Sequence, residues 1–195
     1  MMNPPARKSS VISMVSALSV PEPNYRDFLH IEQASSRKIR LLFDYWQRLH
    51  RDGKPGLRTS FDPVEVPSLL SSLLLGDVES EPFRVYFRLI GTAVAEFSRL
   101  DFSGYYLDTL DYKGRDSIEW LECYRRIHAT GIGLVGSNRV VWPDDSEKEY
   151  EFAILPLSRN GHDAGSFVAL EDYDGIDACE IPDMPPVTVF ERFRK

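Results

Sequence analysis

The chain has little cysteine, little histidine and no long apolar run, and each shortage removes a class of protein. Two cysteines in 195 residues, Cys123 and Cys179, cannot build a disulfide scaffold or a zinc site made of several thiolates. The four histidines, His30, His50, His128 and His162, show no spacing that suits a metal. No stretch approaches the roughly 18 apolar residues that a membrane-spanning helix needs. A basic excess is missing too: 23 Lys+Arg stand against 30 Asp+Glu, a net charge of −7 that disfavours nucleic acid as a partner. No nucleophile elbow, phosphate-binding loop or thiolate cluster occurs. What is present is 43% hydrophobic and 12% aromatic residues, enough for one well-packed domain with appendages.

The charge is unevenly spread. Residues 1–58 carry ten Lys/Arg against five Asp/Glu, and residues 59–195 carry 13 against 25, so a segment of +5 precedes one of −12. Five of the first ten cations lie at Arg37, Lys38, Arg40, Arg48 and Arg51, which fits the solvated face of a helix. Before it, Arg7 and Lys8 precede VISMVSALSV at 11–20, a superficial likeness to an export signal. Three serines dilute that stretch, no small-residue cleavage site follows, and Pro21 and Pro23 come at once, so residues 1–24 read as a poorly ordered arm.

Helical periodicity starts near Ser36. Ser35 or Ser36 can cap a helix over 36–51, with Ile39, Leu42, Phe43, Trp46 and Leu49 along one stripe. DGKPG at 52–56 stops it, and Asp62-Pro63 opens another short helical turn. From 73 the period changes to two. LLLGDVE (73–79) and FRVYFRLIG (83–91) read as strands, followed by short helices at 92–100 and within 101–110. Asp116 caps a longer helix that ends near Thr130-Gly131 and turns Ile118, Leu121, Cys123, Tyr124 and Ile127 inward. Strands at 133–142, 149–158 and 164–173 form an antiparallel meander, the last pair joined at Asn160-Gly161. Pro156 demands a bulge or a non-bonded position. The class is α+β, with a body at 25–172 and an acidic tail at 173–195 that lies on the body or reaches a partner.

Five segments in this order resemble a bacterial PAS-like family, PAS type 5, formerly a domain of unknown function. They are LLFDYWQRLH (41–50), FDPVEVPSLL (61–70), FRLIGTAVAEF (87–97), DFSGYYLDTL (101–110) and the run VVWPDD…EYEFAILPLS (140–158). The resemblance implies a five-stranded antiparallel sheet with helices on one face, a hollow between them, and an N-terminal flanking helix. It implies a sensory or assembly module that holds a small ligand or pairs with another protein. Because 23 residues follow Asp172, output is expected through association, in the cytoplasm, with a second copy or another signalling protein and with neither nucleic acid nor membrane.

Set against that resemblance, the residues limit the chemistry. The light-sensing PAS subclass similar to plant phototropins needs a cysteine in an Asn-Cys-Arg motif, and neither Cys123 nor Cys179 has that context. Haem-binding relatives supply a histidine from the long helix before the last three strands. His128 is the residue to compare, against its plainer reading as an exposed helix-terminal histidine. No cofactor is otherwise indicated. Asp144-Asp145 falls in a turn, and Glu151, the candidate catalytic carboxylate, alternates to the face opposite Phe152 and Ile154, so no enzyme activity is expected. Phe87, Phe97, Tyr106, Trp120, Tyr124, Trp142 and Phe152 either pack a core or line the hollow. Arg88 is either a surface cation or a pocket residue paired with Glu96, Asp101 or an anionic ligand. Ile39, Leu42, Phe43, Trp46 and Leu49 are expected to form the seam of a homodimer.

Overall fold

The computed structural model describes residues 25–50, 55–112, 117–142, 144–176 and 186–190. Its centre is one antiparallel sheet. Strands β1 (Tyr25–Asp27), β2 (Leu73–Ser80), β3 (Phe83–Ile90), β5 (Leu134–Val141), β6 (Glu147–Leu157) and β7 (Ser166–Asp172) run in the order β1-β5-β6-β7-β2-β3. A separate pair joins β4 (Leu110–Asp111) to β8 (Thr188–Val189). The helices are α1 (Arg37–Leu49), α2 (Thr92–Ser98) and α3 (Ser117–Thr130), with short 3-10 turns between α1 and β2.

The five strands read from the sequence are all present, and a sixth, β1, is added at the β5 edge. It pairs Tyr25 with Asn138 and Asp27 with Gly136. Gly136 is needed there, since a Cβ on it would lie 2.3 Å from the Arg26 carbonyl oxygen. At the other edge, the Phe87 N–H donates to Tyr105 O and Phe87 O accepts from Gly104 N–H, so residues 104–106 lie along β3. The β6–β7 register is unbroken at Pro156, which sits opposite Phe167, while β5 pairing stops at Ile154. Pro156 therefore has no β5 carbonyl beside it to serve, and no bulge is needed. The irregularity falls instead at Leu75/Gly76 in β2.

The sheet is apolar on both faces, as a two-residue side-chain period allows. On the inner face, Phe87, Phe152, Ile154, Phe167 and Ala169 pack against Val94 and Phe97 of α2 and Cys123, Tyr124 and Ile127 of α3. On the outer face, Val135, Ala153, Leu155, Leu157, Val168 and Leu170 pack against α1 and the turns carrying Phe61, Val66 and Leu69. The helices do not all lie on one face. The flanking helix covers the sheet from the opposite side, giving three layers.

This placement corrects the expected dimer seam. Ile39, Leu42 and Trp46 are buried against their own sheet, with Phe43 and Leu49 partly buried beside them, so the stripe is occupied within the chain. Polar contacts fix the helix there. The Trp46 Nε1–H donates to Pro156 O at 2.7 Å. Glu151 on β6 accepts from the Ser35 N–H at 2.9 Å, the Ser35 hydroxyl at 2.7 Å and the Ser36 N–H at 2.8 Å, placing a carboxylate at the positive end of α1. The Ser36 hydroxyl oxygen accepts from the Ile39 N–H as the cap, and its proton goes to Asp172. Lys38 reaches Asp172 and Asp174. Burial opposes its charge, but hydrogen bonds to those two carboxylates prevail and hold its pKa above the ordinary lysine value.

The inner core continues past Asp172. Tyr173, Ile176 and Val187 belong to it, so the described part of the tail lies on the body. Among the described residues, no helix is long and apolar enough to cross a membrane.

Leu42→Ala is expected to cost about 2–5 kcal/mol, the range for a truncated core leucine, read as a lowered urea midpoint. Trp46→Glu is expected to abolish cooperative unfolding instead of releasing folded monomers, as size exclusion with circular dichroism will show.

Candidate functional site

The inner face is where the aromatic residues gather, in two main groups of rings. Phe87 stands at 4.9 Å from Phe102 and 6.1 Å from Phe167, and Tyr124 of α3 lies 4.7 Å from Phe167. Toward the other end, Phe97 stacks on Tyr173 at 4.0 Å, Tyr150 approaches both, and Trp142 lies 6.2 Å from Phe97. Trp120 meets Phe152 edge-on at 4.8 Å. Most of these contacts are tilted or edge-to-face, the arrangement aromatic quadrupoles favour.

A polar group sits inside this apolar wall. Glu171 of β7 lies directly opposite Phe152, so both point to the inner face. The Tyr173 hydroxyl donates to Glu171 Oε2 in a short hydrogen bond. The Asn138 amide donates to the Tyr150 hydroxyl at 3.0 Å, from the same face of β5 and β6. Tyr124 completes the group from the helix side. Its phenol is held well above the usual tyrosine range, first by burial, then by the negative charge of Glu171. The arrangement offers a carboxylate and phenolic oxygens between flat rings. It can accept a hydrogen bond from an N–H or O–H while the rings hold an apolar body.

Of the residues expected to line the hollow, Phe87, Phe97, Tyr124, Trp142 and Phe152 lie in this inner core, and Trp120 packs against it. Tyr106 does not. Val78 and Val85 point inward, so their neighbours Glu79 and Arg84 point outward, and Tyr106 joins these two. Its hydroxyl donates to Glu79 at 2.7 Å, the Arg84 guanidinium lies 3.6 Å over its ring, and Arg84 pairs with Asp108. That hydrogen bond to Glu79 raises the Tyr106 phenol above its ordinary value.

Arg88 is likewise outside the hollow. It neighbours inward-facing Phe87 and so faces outward, where its partner is Asp77, neither Glu96 nor Asp101. Asp77 is the buried member, with its side chain 5% exposed against 48% for Arg88. It also accepts from the Ser166 hydroxyl at 3.0 Å and has Arg58 at 3.8 Å, so the carboxylate is compensated on three sides.

His128 is engaged at both ring nitrogens. Nδ1 lies 2.9 Å from Ala164 O, and a carbonyl only accepts, so Nδ1 carries the proton and donates. Nε2 then accepts from the Ser80 hydroxyl at 3.3 Å. Both ring nitrogens therefore have a partner within the chain. Glu151 lies opposite Phe152, as alternation predicts, and serves the α1 terminus. Among the described residues, no group of three His, Cys, Asp or Glu is placed to hold a metal ion.

The sequence reading missed Glu171, Tyr173, Tyr150 and Asn138. A signal was available: Glu171 is four residues after Phe167 in one strand, hence on the same face.

A five-stranded antiparallel sheet in the order β5-β6-β7-β2-β3, with short helices after the second strand enclosing one face, defines a PAS-type sensory and regulatory module. A family model described as PAS domain matches residues 34–170, and the chain belongs to that family. No curated protein matches the chain. Among solved structures, an RNA-binding light-oxygen-voltage receptor is similar at 14% identity and a TM-score of 0.39, over 69% of this chain. The match covers 40% of that receptor, so the chain spans less than half of its length.

Because the folded-state pKa of Tyr124 is raised, the fold favours the protonated phenol. Its contribution to stability is complete below the unfolded value of 10.0 and is lost as pH rises through the folded value. Thermal midpoints measured as pH rises above 10.0 are expected to fall more steeply for the native chain than for Tyr124→Phe, which keeps the ring and removes the proton.

Proposed function

We propose that this PAS module is a non-catalytic sensor that takes a small, partly apolar ligand against the inner face and passes the effect on through protein association. The observation that carries the reading is Glu171, a carboxylate directed at the inner face and grouped with Tyr124, Tyr150 and Tyr173. An apolar core gains nothing from an acidic group at its wall, since such a group must find hydrogen bonds there. Ligand sites, by contrast, combine an apolar lining with a few placed polar groups that set orientation. The ligand class that suits the group is a flat or apolar body with an N–H or O–H donor. No cofactor is assigned, and the scarcity of cysteine together with the buried thiol of Cys123 supports a reducing compartment such as the cytoplasm.

Self-association through α1 would have to use its outward side, because the apolar stripe lies on the sheet. That side carries Arg37, Arg40, Leu41, Asp44 and Arg48. A seam of this composition is polar and salt-sensitive, which suits a transient contact more than an obligate dimer.

Native mass spectrometry of freshly purified protein is expected to show an added small mass on the folded chain. Glu171→Gln should weaken its retention about tenfold or more, the effect of losing a charged acceptor worth about 1.5–3 kcal/mol. A bare chain, with no stabilising hit in a thermal-shift screen of small donors, overturns the reading.

A further inference from the structure

The last described residues return to the body as an added strand. β8 pairs antiparallel with β4, Val189 opposite Leu110 and Thr188 opposite Asp111. The Val187 N–H donates to Ser98 O at 2.9 Å, and the Phe190 N–H donates to Thr109 O at 3.0 Å. Val187 is 2% exposed and belongs to the inner core, Val189 packs partly against that core, and Phe190 is 40% exposed. Main-chain hydrogen bonds thus supply adhesion, and a pocket for one buried side chain supplies selection, which is how sheet edges recognise extended peptides.

The receptor side is formed by Ser98 and residues 107–111. Leu107, Thr109 and Leu110 are buried, and the Thr109 hydroxyl donates to Tyr106 O at 2.6 Å. The preceding turn is held along β3 by the backbone bonds of Phe87. Ser98, which accepts from Val187, ends α2 and is itself buried. All of these residues lie within the span that matches the PAS family, whereas residues 187–190 lie beyond its end at 170. The contact is also short: two residues on each strand, far less than a stable isolated hairpin requires.

We propose that the groove between Ser98 and residues 107–111 is a docking site for an extended segment of a partner protein, held shut in this chain by its own residues 187–190. The chemistry of the bound strand specifies the partner: a β-branched residue for the Val187 pocket, an apolar residue two positions on, free N–H groups at the positions of Val187 and Phe190, and no proline between them. Basic residues after that motif complete the match. Arg192, Arg194 and Lys195 follow it here, and residues 59–195 are otherwise strongly acidic. Opening the groove breaks the pairing of residues 187–190 and uncovers the Val187 pocket, with no change to the pairing within the central sheet.

The test uses the full chain and a labelled synthetic peptide of residues 185–192, with fluorescence anisotropy as the readout. The native strand competes at the effective concentration of a tethered segment, on the order of millimolar, so the peptide is expected to bind Val187→Asp at least tenfold more tightly than the native chain. A peptide carrying aspartate at the Val187 position should not bind. If Val187→Asp does not fold, Phe190→Pro gives the same reading, since it removes the N–H that Thr109 accepts and leaves the core side chains in place. Equal binding to native and variant chains, or no saturable binding to a variant whose thermal melt is cooperative, overturns the proposal. A native dimer that either variant dissolves also overturns it, by assigning the groove to a second copy.

Discussion

Strand β6 is buried on both faces from Phe152 to Leu157, and a strand in that position must be covered twice. Its even-numbered residues Phe152 and Ile154 face α2 and α3, and its odd-numbered residues Ala153, Leu155 and Leu157 face α1. Neither cover is optional, because leaving either side open would expose several large side chains, each worth about 1.5–3 kcal/mol of burial. The position of α1 follows from this demand. So does the cluster of charged groups at its N-terminus, where Glu151 and Asp172 extend from neighbouring strands to hold Ser35, Ser36 and Lys38.

The end of β7 connects the two layers. Glu171 and Tyr173 belong to the inner group, while Asp172 between them belongs to the contacts of α1. Three consecutive residues therefore report on both faces, since the strand pleat turns successive side chains to opposite sides. Whatever moves Glu171 or Tyr173 bears on the backbone that positions Asp172. Residues joined directly by covalent bonds here belong to the contacts of opposite layers.

Much of this was legible in the residues. The two-residue period marks the five central strands, Ser36 marks the start of α1, and the order of elements is that of the PAS family, whose model matches residues 34–170. Alternation also placed Arg88 opposite Phe87 and Glu151 opposite Phe152. What stayed hidden was which layer each face would meet. The stripe of Ile39, Leu42 and Trp46 says that the helix buries one side, and a second copy or its own sheet would satisfy that period equally. Tyr106 was misplaced for a related reason: it lies in a turn outside any regular period, so its direction is set by Arg84 and Glu79, far away in sequence. Three residues of β1 are too few for a periodic signal, and Glu171 sits in an acidic stretch whose composition suggests solvent.

The two flanks of the central sheet have a bearing on how the protein behaves when concentrated. On one side the sheet finishes in a strand of three residues, and on the other the backbone groups of Phe87 are already taken by the turn at 104–106. Growth of a sheet from molecule to molecule needs a long row of free N–H and C=O groups as a template. Among the described residues, each flank is interrupted part-way along by such a cover, which shortens the row of groups open to a second molecule.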